Sequence, residues 1–256
     1  MMPYLERLTR RIRAVDSFVC VGLDPQGLPV EEVIPHNRAL IEATAPYAAC
    51  FKPNLAFYEQ FGIPGLRALE ATLAAIPDDI PVIADGKRGD MPNTAAAYAR
   101  ALFEVWGFDA ATVNPLQGQD ATEPFLAYKD RGVYVCCRTS NPGSVTFQNE
   151  RLATGQTLYE YIAEEASGWG ANVGLVVGAT APDELARVRA LAPTTTLLVP
   201  GVGVQGGDPA QVIAAAGSKP GLVVVNASRS IASAPDQAAA ARNLRDALNA
   251  VSWTPV

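Results

Sequence analysis

Histidine is almost missing from this chain, with His36 the single example. That argues against a histidine-based triad and against a multi-histidine metal site, which needs several imidazoles as ligands. His36 follows Pro35 at an expected helix start, where a solvated or capping role accounts for it. No uncharged apolar run approaches the ~18 residues needed to cross a bilayer. The stretch Met1-Met2-Pro3-Tyr4-Leu5-Glu6-Arg7 lacks the basic-then-apolar pattern of a secretory signal. Basic excess is absent too: the formal net charge is −6. A general nucleic-acid or anionic-membrane binder needs a positive field, so neither partner is expected. Cysteines number only four, and Cys20, Cys50, Cys136 and Cys137 all fall inside apolar runs. They read as buried, reduced, small hydrophobes, and a cytoplasmic protein is the expectation.

What the chain has is an ordinary globular balance, 49% hydrophobic and 18% charged over 256 residues. Its most unusual stretch is Ala84-Asp85-Gly86-Lys87-Arg88-Gly89-Asp90, between a short apolar run and a helical pattern that opens near Pro92. At a strand end, residues i and i+2 share a side, so Asp85 and Lys87 are expected to project together. Asp90, past a glycine, lies on the loop. Such groups hold one another charged and shift each other's pKa. A surface salt bridge is the alternative at this point.

Eight continuous apolar runs read as strands: Ser17–Asp24, Cys50–Asn54, Ile80–Asp85, Ala110–Pro115, Val133–Arg138, Val173–Gly178, Thr195–Gly201 and Leu222–Asn226. Continuous rather than alternating runs suit parallel strands covered on both faces. Helical patterns lie between them, at Ile34–Ala48, Ile63–Ile76, Pro92–Trp106, Thr122–Lys129, Thr157–Ser167, Pro182–Leu191, Pro209–Ala216 and Pro235–Val251. A further one, Leu5–Val15, precedes them all, and the longest irregular stretch is Ser140–Gly155. Strand then helix, eight times and without a linker, predicts an α/β fold. It is a single (β/α)8 TIM barrel over residues 1–256 with an extra N-terminal helix lying across one end. A doubly wound open sheet is the runner-up.

Barrel active sites sit at the C-terminal strand ends. There the chain places Asp24, Lys52, Asp85, Lys87 and Asp90 from the first three strands. The last two strands bring the run Gly201-Val202-Gly203-Val204-Gln205-Gly206-Gly207 and Ser228-Arg229. Glycines there let backbone N–H groups approach a phosphate, and an arginine can bind it bidentately. The same run satisfies the three-glycine dinucleotide pattern, but the acidic residue required at the end of the following strand is missing. Lysines interleaved with carboxylates and no histidine suit proton transfer by lysine inside a charge network. The flanking aspartates make Lys87 a general acid rather than a Schiff-base nucleophile. Three aspartates could instead hold Mg²⁺, but the ammonium groups compete for them.

Seven ordered motifs then carry a resemblance: Val21-Gly-Leu-Asp-Pro25, Phe51-Lys-Pro-Asn54, Asp85-Gly-Lys-Arg-Gly-Asp90 with Thr94, Thr112-Val-Asn-Pro115, Cys137-Arg-Thr-Ser-Asn-Pro-Gly143, Pro200-Gly-Val-Gly203 with Gln205-Gly-Gly207, and Ser228-Arg-Ser230. The chain resembles the orotidine 5′-phosphate decarboxylases, in the branch whose motif reads Asp-x-Lys-Arg-Gly-Asp. The resemblance implies conversion of orotidine 5′-monophosphate to UMP and CO₂ with no cofactor and no metal. It implies that Lys87 protonates C6, with Asp85, Asp90 and Lys52 completing the catalytic set. Asp24 is to contact the ribose, Ser140 the pyrimidine, and Gln205 and Arg229 the phosphate. Asn114, Gly207 and Ser228 complete the expected substrate-binding set. It also implies a homodimer in which Asp90 and Thr94 reach the neighbouring subunit's substrate. Gly86, Met91-Pro92 and Leu116-Gln117 depart from the family pattern without removing a charged group. Two rivals remain: a metal-dependent sugar-phosphate decarboxylase or aldolase, whose second strand carries a glutamate where this chain has Lys52, and a non-catalytic nucleotide-phosphate-binding barrel.

Overall fold

The computed structural model describes residues 2–203, 206–217 and 222–251. Eight parallel strands form one sheet: β1 (Val19–Gly22), β2 (Cys50–Lys52), β3 (Ile83–Arg88), β4 (Ala110–Val113), β5 (Gly132–Arg138), β6 (Val173–Val177), β7 (Thr196–Pro200) and β8 (Val223–Ala227). Their order is β2-β1-β8-β7-β6-β5-β4-β3. The outer pair, β2 and β3, meet through the isolated bridges Phe51↔Val82 and Asn54↔Asp85, which brings the sheet round into a nearly closed barrel. The continuous apolar runs have the cause expected of them. Every residue of β1, β4, β6 and β8 is buried, between barrel interior and helix layer.

The helices that answer the expected patterns are α1 (Tyr4–Val15), α2 (Val30–Thr44), α3 (Ile63–Leu73), α4 (Pro92–Arg100), α5 (Glu123–Leu126), α6 (Leu158–Ser167), α7 (Pro182–Leu191), α8 (Pro209–Ala216) and α9 (Gln237–Asn249). Helix α1 is the extra one. Its buried Tyr4, Leu8 and Ile12 close the N-terminal pole of the barrel, where the Tyr4 hydroxyl lies 3.0 Å from that of Tyr134. Arg11 fixes the same helix through the carbonyls of Ala48 (3.1 Å) and Ala45 (2.5 Å).

Several boundaries differ from expectation. Helix α2 starts at Val30, so Pro35 lies inside it; a proline there forgoes one backbone bond to the preceding turn without stopping the chain. The pattern Thr122–Lys129 contracts to the single turn of α5, and Ser140–Gly155 contains the helical turns Pro142–Ser144 and Val145–Gln148. One more matters most. Strand β3 begins three residues later than the apolar run and extends to Arg88, so Asp85 and Lys87 belong to the strand itself. Ile80 and Pro81 are buried in the approach to it, where apolar content alone mimics strand. Among the described residues all four cysteines are free, with Cys136 only partly buried, and no helix is long and apolar enough to cross a membrane.

Candidate active site

Lys52 ends β2 and Asp85 lies in β3, which the barrel places side by side. The Lys52 ammonium and the Asp85 carboxylate meet at 2.7 Å, both nearly out of solvent, at 4% and 9% side-chain exposure. Asp85 uses its other oxygen for Lys87, 2.6 Å from the Lys87 Nζ. Thr112 of β4 donates to that same oxygen (3.1 Å) and accepts from the Lys87 backbone N–H (2.9 Å). One carboxylate therefore carries two ammonium groups and a hydroxyl.

The backbone is bent to make this possible. Between Ala84 and Arg88 the β3–β4 register shifts, and Lys87 has a φ of 44°, a conformation few non-glycine residues adopt. The bulge aims Lys87, while Asp85, within the same shifted segment, bridges to Asn54 on the β2 side. Simple strand alternation foresaw the pairing but not this strained backbone.

The two lysines are not equivalent. Burial pulls the Lys52 pKa down, but attraction to Asp85 and Asp24 outweighs it and holds the ammonium above its ordinary value. Burial likewise pushes Asp85 up, and the two lysines more than reverse that, keeping its carboxyl well below the usual carboxylate range. Lys87, by contrast, is 46% exposed and faces open space. Beside the array, burial pushes the Cys136 thiol up to about 12, so it stays neutral and does not dilute the charge.

A cavity of about 520 Å³ opens over these groups at the C-terminal mouth. Of the residues predicted from sequence, it gathers Asp24, Lys52, Asp85, Lys87, Ser140, Ser228 and Arg229. Asp24 accepts from the Asn54 backbone N–H at 3.0 Å, which fixes its carboxylate beside Lys52. Ser228 and Arg229 stand where β8 ends and a short helical turn, Arg229–Ala232, begins. In the adjoining glycine-rich stretch the Gly207 N–H donates to the Gly201 carbonyl (3.1 Å), and Gly203, at φ 83°, lies so close to Ser230 that a Cβ would clash.

Four predicted residues do not line this cavity. Asp90 accepts from the Met91 N–H (2.8 Å), Thr94 sits in the first turn of α4, Asn114 is exposed and caps the turn Pro115–Gln117 through Leu116 N–H (3.1 Å), and Gly207 lies behind the mouth. Gln205 falls outside the described residues. The lining also includes Phe57, and Thr112, Thr139 and Asn141, which the sequence reading quoted in motifs without giving them a site role. Thr112 was detectable in principle, as the one polar residue within the apolar run of β4.

Fold and site together define a barrel enzyme of the class that sets a lysine–aspartate–lysine array at the C-terminal mouth. The sequence model of the Orotidine 5′-phosphate decarboxylase / HUMPS family matches residues 17–244, and the chain belongs to that family. It is 46% identical to an orotidine 5′-phosphate decarboxylase of Thermomicrobium roseum, over 98% of this chain and 96% of that one. Among solved structures, Leishmania donovani OMP decarboxylase superposes with a TM-score of 0.90 at 42% identity, covering 97% of this chain and 98% of the other. Leishmania donovani UMP synthase gives 0.93 at 44% identity; there 98% of this chain spans 57% of the longer one.

Proposed function

We propose that this chain decarboxylates orotidine 5′-monophosphate to UMP and CO₂ in pyrimidine biosynthesis, as a cofactor-free cytoplasmic enzyme of one domain in the Asp-x-Lys-Arg-Gly-Asp branch. The observation that carries the mechanism is the unequal pair of lysines on Asp85. Lys52 is walled in and serves as fixed charge. Lys87 reaches into the cavity and delivers the proton to C6.

The chemistry requires such a group. Loss of CO₂ from C6 leaves an electron pair in the plane of the ring, where the π system cannot delocalise it. A held ammonium stabilises that charge as it develops and then quenches it by proton transfer. Asp85, clamped from both sides, keeps the Lys87 side chain oriented without becoming protonated itself. Across the mouth, Asp24 and Lys52 address the ribose, Ser140 the pyrimidine, and Gln205 and Arg229 the phosphate. Asn114, Ser228 and Gly207 complete the substrate-binding set. A phosphate held far from C6 contributes binding energy that orients the reacting end. The sugar-phosphate alternative needs carboxylate oxygens free for a metal, and both oxygens of Asp85 are occupied by ammonium groups.

The decisive measurement is loss of orotidine 5′-monophosphate absorbance with and without EDTA. Turnover that persists in chelator is expected; turnover abolished by EDTA would point to the metal-dependent relatives. For the homodimer, the support is that Asp90 and Thr94 sit outside their own chain's cavity lining, near the exposed Met91 and Leu116. Neither Asp90→Ala nor Asp24→Ala chains alone should turn over well. Mixing them should restore up to about a quarter of wild-type sites, the share expected if partner chains exchange at random and build one intact site per mixed pair. A mixture as inactive as its components would remove the shared-site reading.

A further inference from the structure

Ser140 lies at the cavity mouth on the segment that joins β5 to α6, yet its place is set by groups that do not line the cavity. Strand β5 ends at Arg138, after a register shift against β6 between Cys136 and Arg138. The Arg138 side chain is 8% exposed, and its Nε meets Oε2 of Glu184 on α7 at 2.5 Å as an ion pair, off the hydrogen-bonding angle. The same guanidinium donates to the Thr139 carbonyl (2.5 Å) and to the Ser144 hydroxyl, which in turn donates to the Asn141 carbonyl (2.6 Å). Glu184 uses its other oxygen to accept from the Asn149 carboxamide (3.1 Å). The Thr139 N–H donates to Gln148 (2.9 Å). A single ion pair thus reaches both limbs of the segment that presents Ser140.

Gly178 holds the same residue from the other side. Its N–H donates to the Arg138 carbonyl (2.7 Å), and a Cβ there would stand 2.9 Å from the N, Cα and Cβ of Ser140. Only a residue without a side chain lets the Ser140 backbone lie this close to β6. Burying an ion pair is costly compared with burying apolar groups of the same shape, so stability alone is a poor reason for one here. What it supplies is a fixed direction.

We propose that Arg138 and Glu184, with Gly178 opposite them, form a positioning device that sets Ser140 over the base of the substrate. This rests on the reading that Ser140 contacts the pyrimidine. None of the three touches substrate; they act through Ser140. A displacement of about 1 Å at a contact of this kind costs on the order of 100-fold in rate.

The test is a double-mutant cycle on kcat/KM for orotidine 5′-monophosphate. Glu184→Gln and Ser140→Ala should each lower it roughly 10- to 100-fold. The double variant should fall no further than Ser140→Ala alone, within about twofold, because groups acting through one contact do not add. Inhibition by ribose 5-phosphate, which has no base, should stay within about twofold of wild type in Glu184→Gln. Multiplicative losses in the double variant, or equal weakening of ribose 5-phosphate, would overturn the proposal. Gly178→Ala leaves the ion-pair partners in place and should repeat the non-additive pattern; additivity there overturns it as well. If the wild-type chain failed to turn over orotidine 5′-monophosphate, the fault would lie with the proposed function, and the same cycle would be read from UMP binding.

Discussion

Lys87→Ala is expected to lower kcat on orotidine 5′-monophosphate by at least about 10³-fold, a barrier increase of about 4 kcal/mol. The substitution removes two contributions at once: the charge that faces the developing carbanion and the proton that quenches it. Both act in the transition state, so kcat should fall while UMP affinity changes little. Stability should shift by less than about 1 kcal/mol, because a half-exposed ammonium gains little from its ion pair. Asp85 keeps Lys52 as a partner in the variant, so no buried charge is orphaned. Lys87→Arg should not restore the rate, since a guanidinium holds its proton too tightly to donate it. UMP production undiminished in Lys87→Ala would sink the mechanism.

The same contrast shows how much of this site could be read from sequence. Asp85 and Lys87 were visible as a charged motif at the end of an apolar run, and Lys52 and Asp24 at neighbouring strand ends, because a barrel directs every such end to one mouth. Lys87 was singled out as the proton donor, but what makes it differ from Lys52 was not visible. Exposure separates them, and exposure depends on the bulge that throws Lys87 forward while Lys52 stays in the wall. The start of β3 was misplaced for a related reason: Ile80-Pro81-Val82 is apolar enough to pass for strand, and only pairing with β4 fixes the ladder at Ile83. Arg138 illustrates a different limit. It is a charged residue at a strand end, yet the register shift in β5 turns it outward to Glu184, more than forty residues away in sequence. Partners at that separation leave no local pattern to read.

Asp85→Ala should be the most damaging single substitution for stability. It leaves the Lys52 ammonium almost wholly buried, with Asp24 as its remaining opposite charge, and removing one member of a buried pair costs about 3–5 kcal/mol. For a chain of this size that corresponds to a fall in Tm on the order of 10 °C, measurable by calorimetry. The pH dependence follows from the two shifts. Asp85 is depressed in the folded chain, so its contribution is present above the ordinary aspartate value of about 3.9 and is lost as pH falls through the lower folded value. Lys52 is raised, so its contribution is full below the ordinary lysine value of about 10.4 and is lost as pH climbs through the higher folded one. Between those limits the pair's contribution to stability is flat with pH in the wild type. In Asp85→Ala the upper limit moves down, because burial then acts on Lys52 with much less opposition, and the variant should lose stability as pH falls through the lowered lysine value. Adding Lys52→Met should recover much of the lost stability, since an apolar side chain of similar volume suits the same buried place. It should recover none of the activity. A double variant no more stable than Asp85→Ala would mean that the ammonium left behind is not the source of the loss.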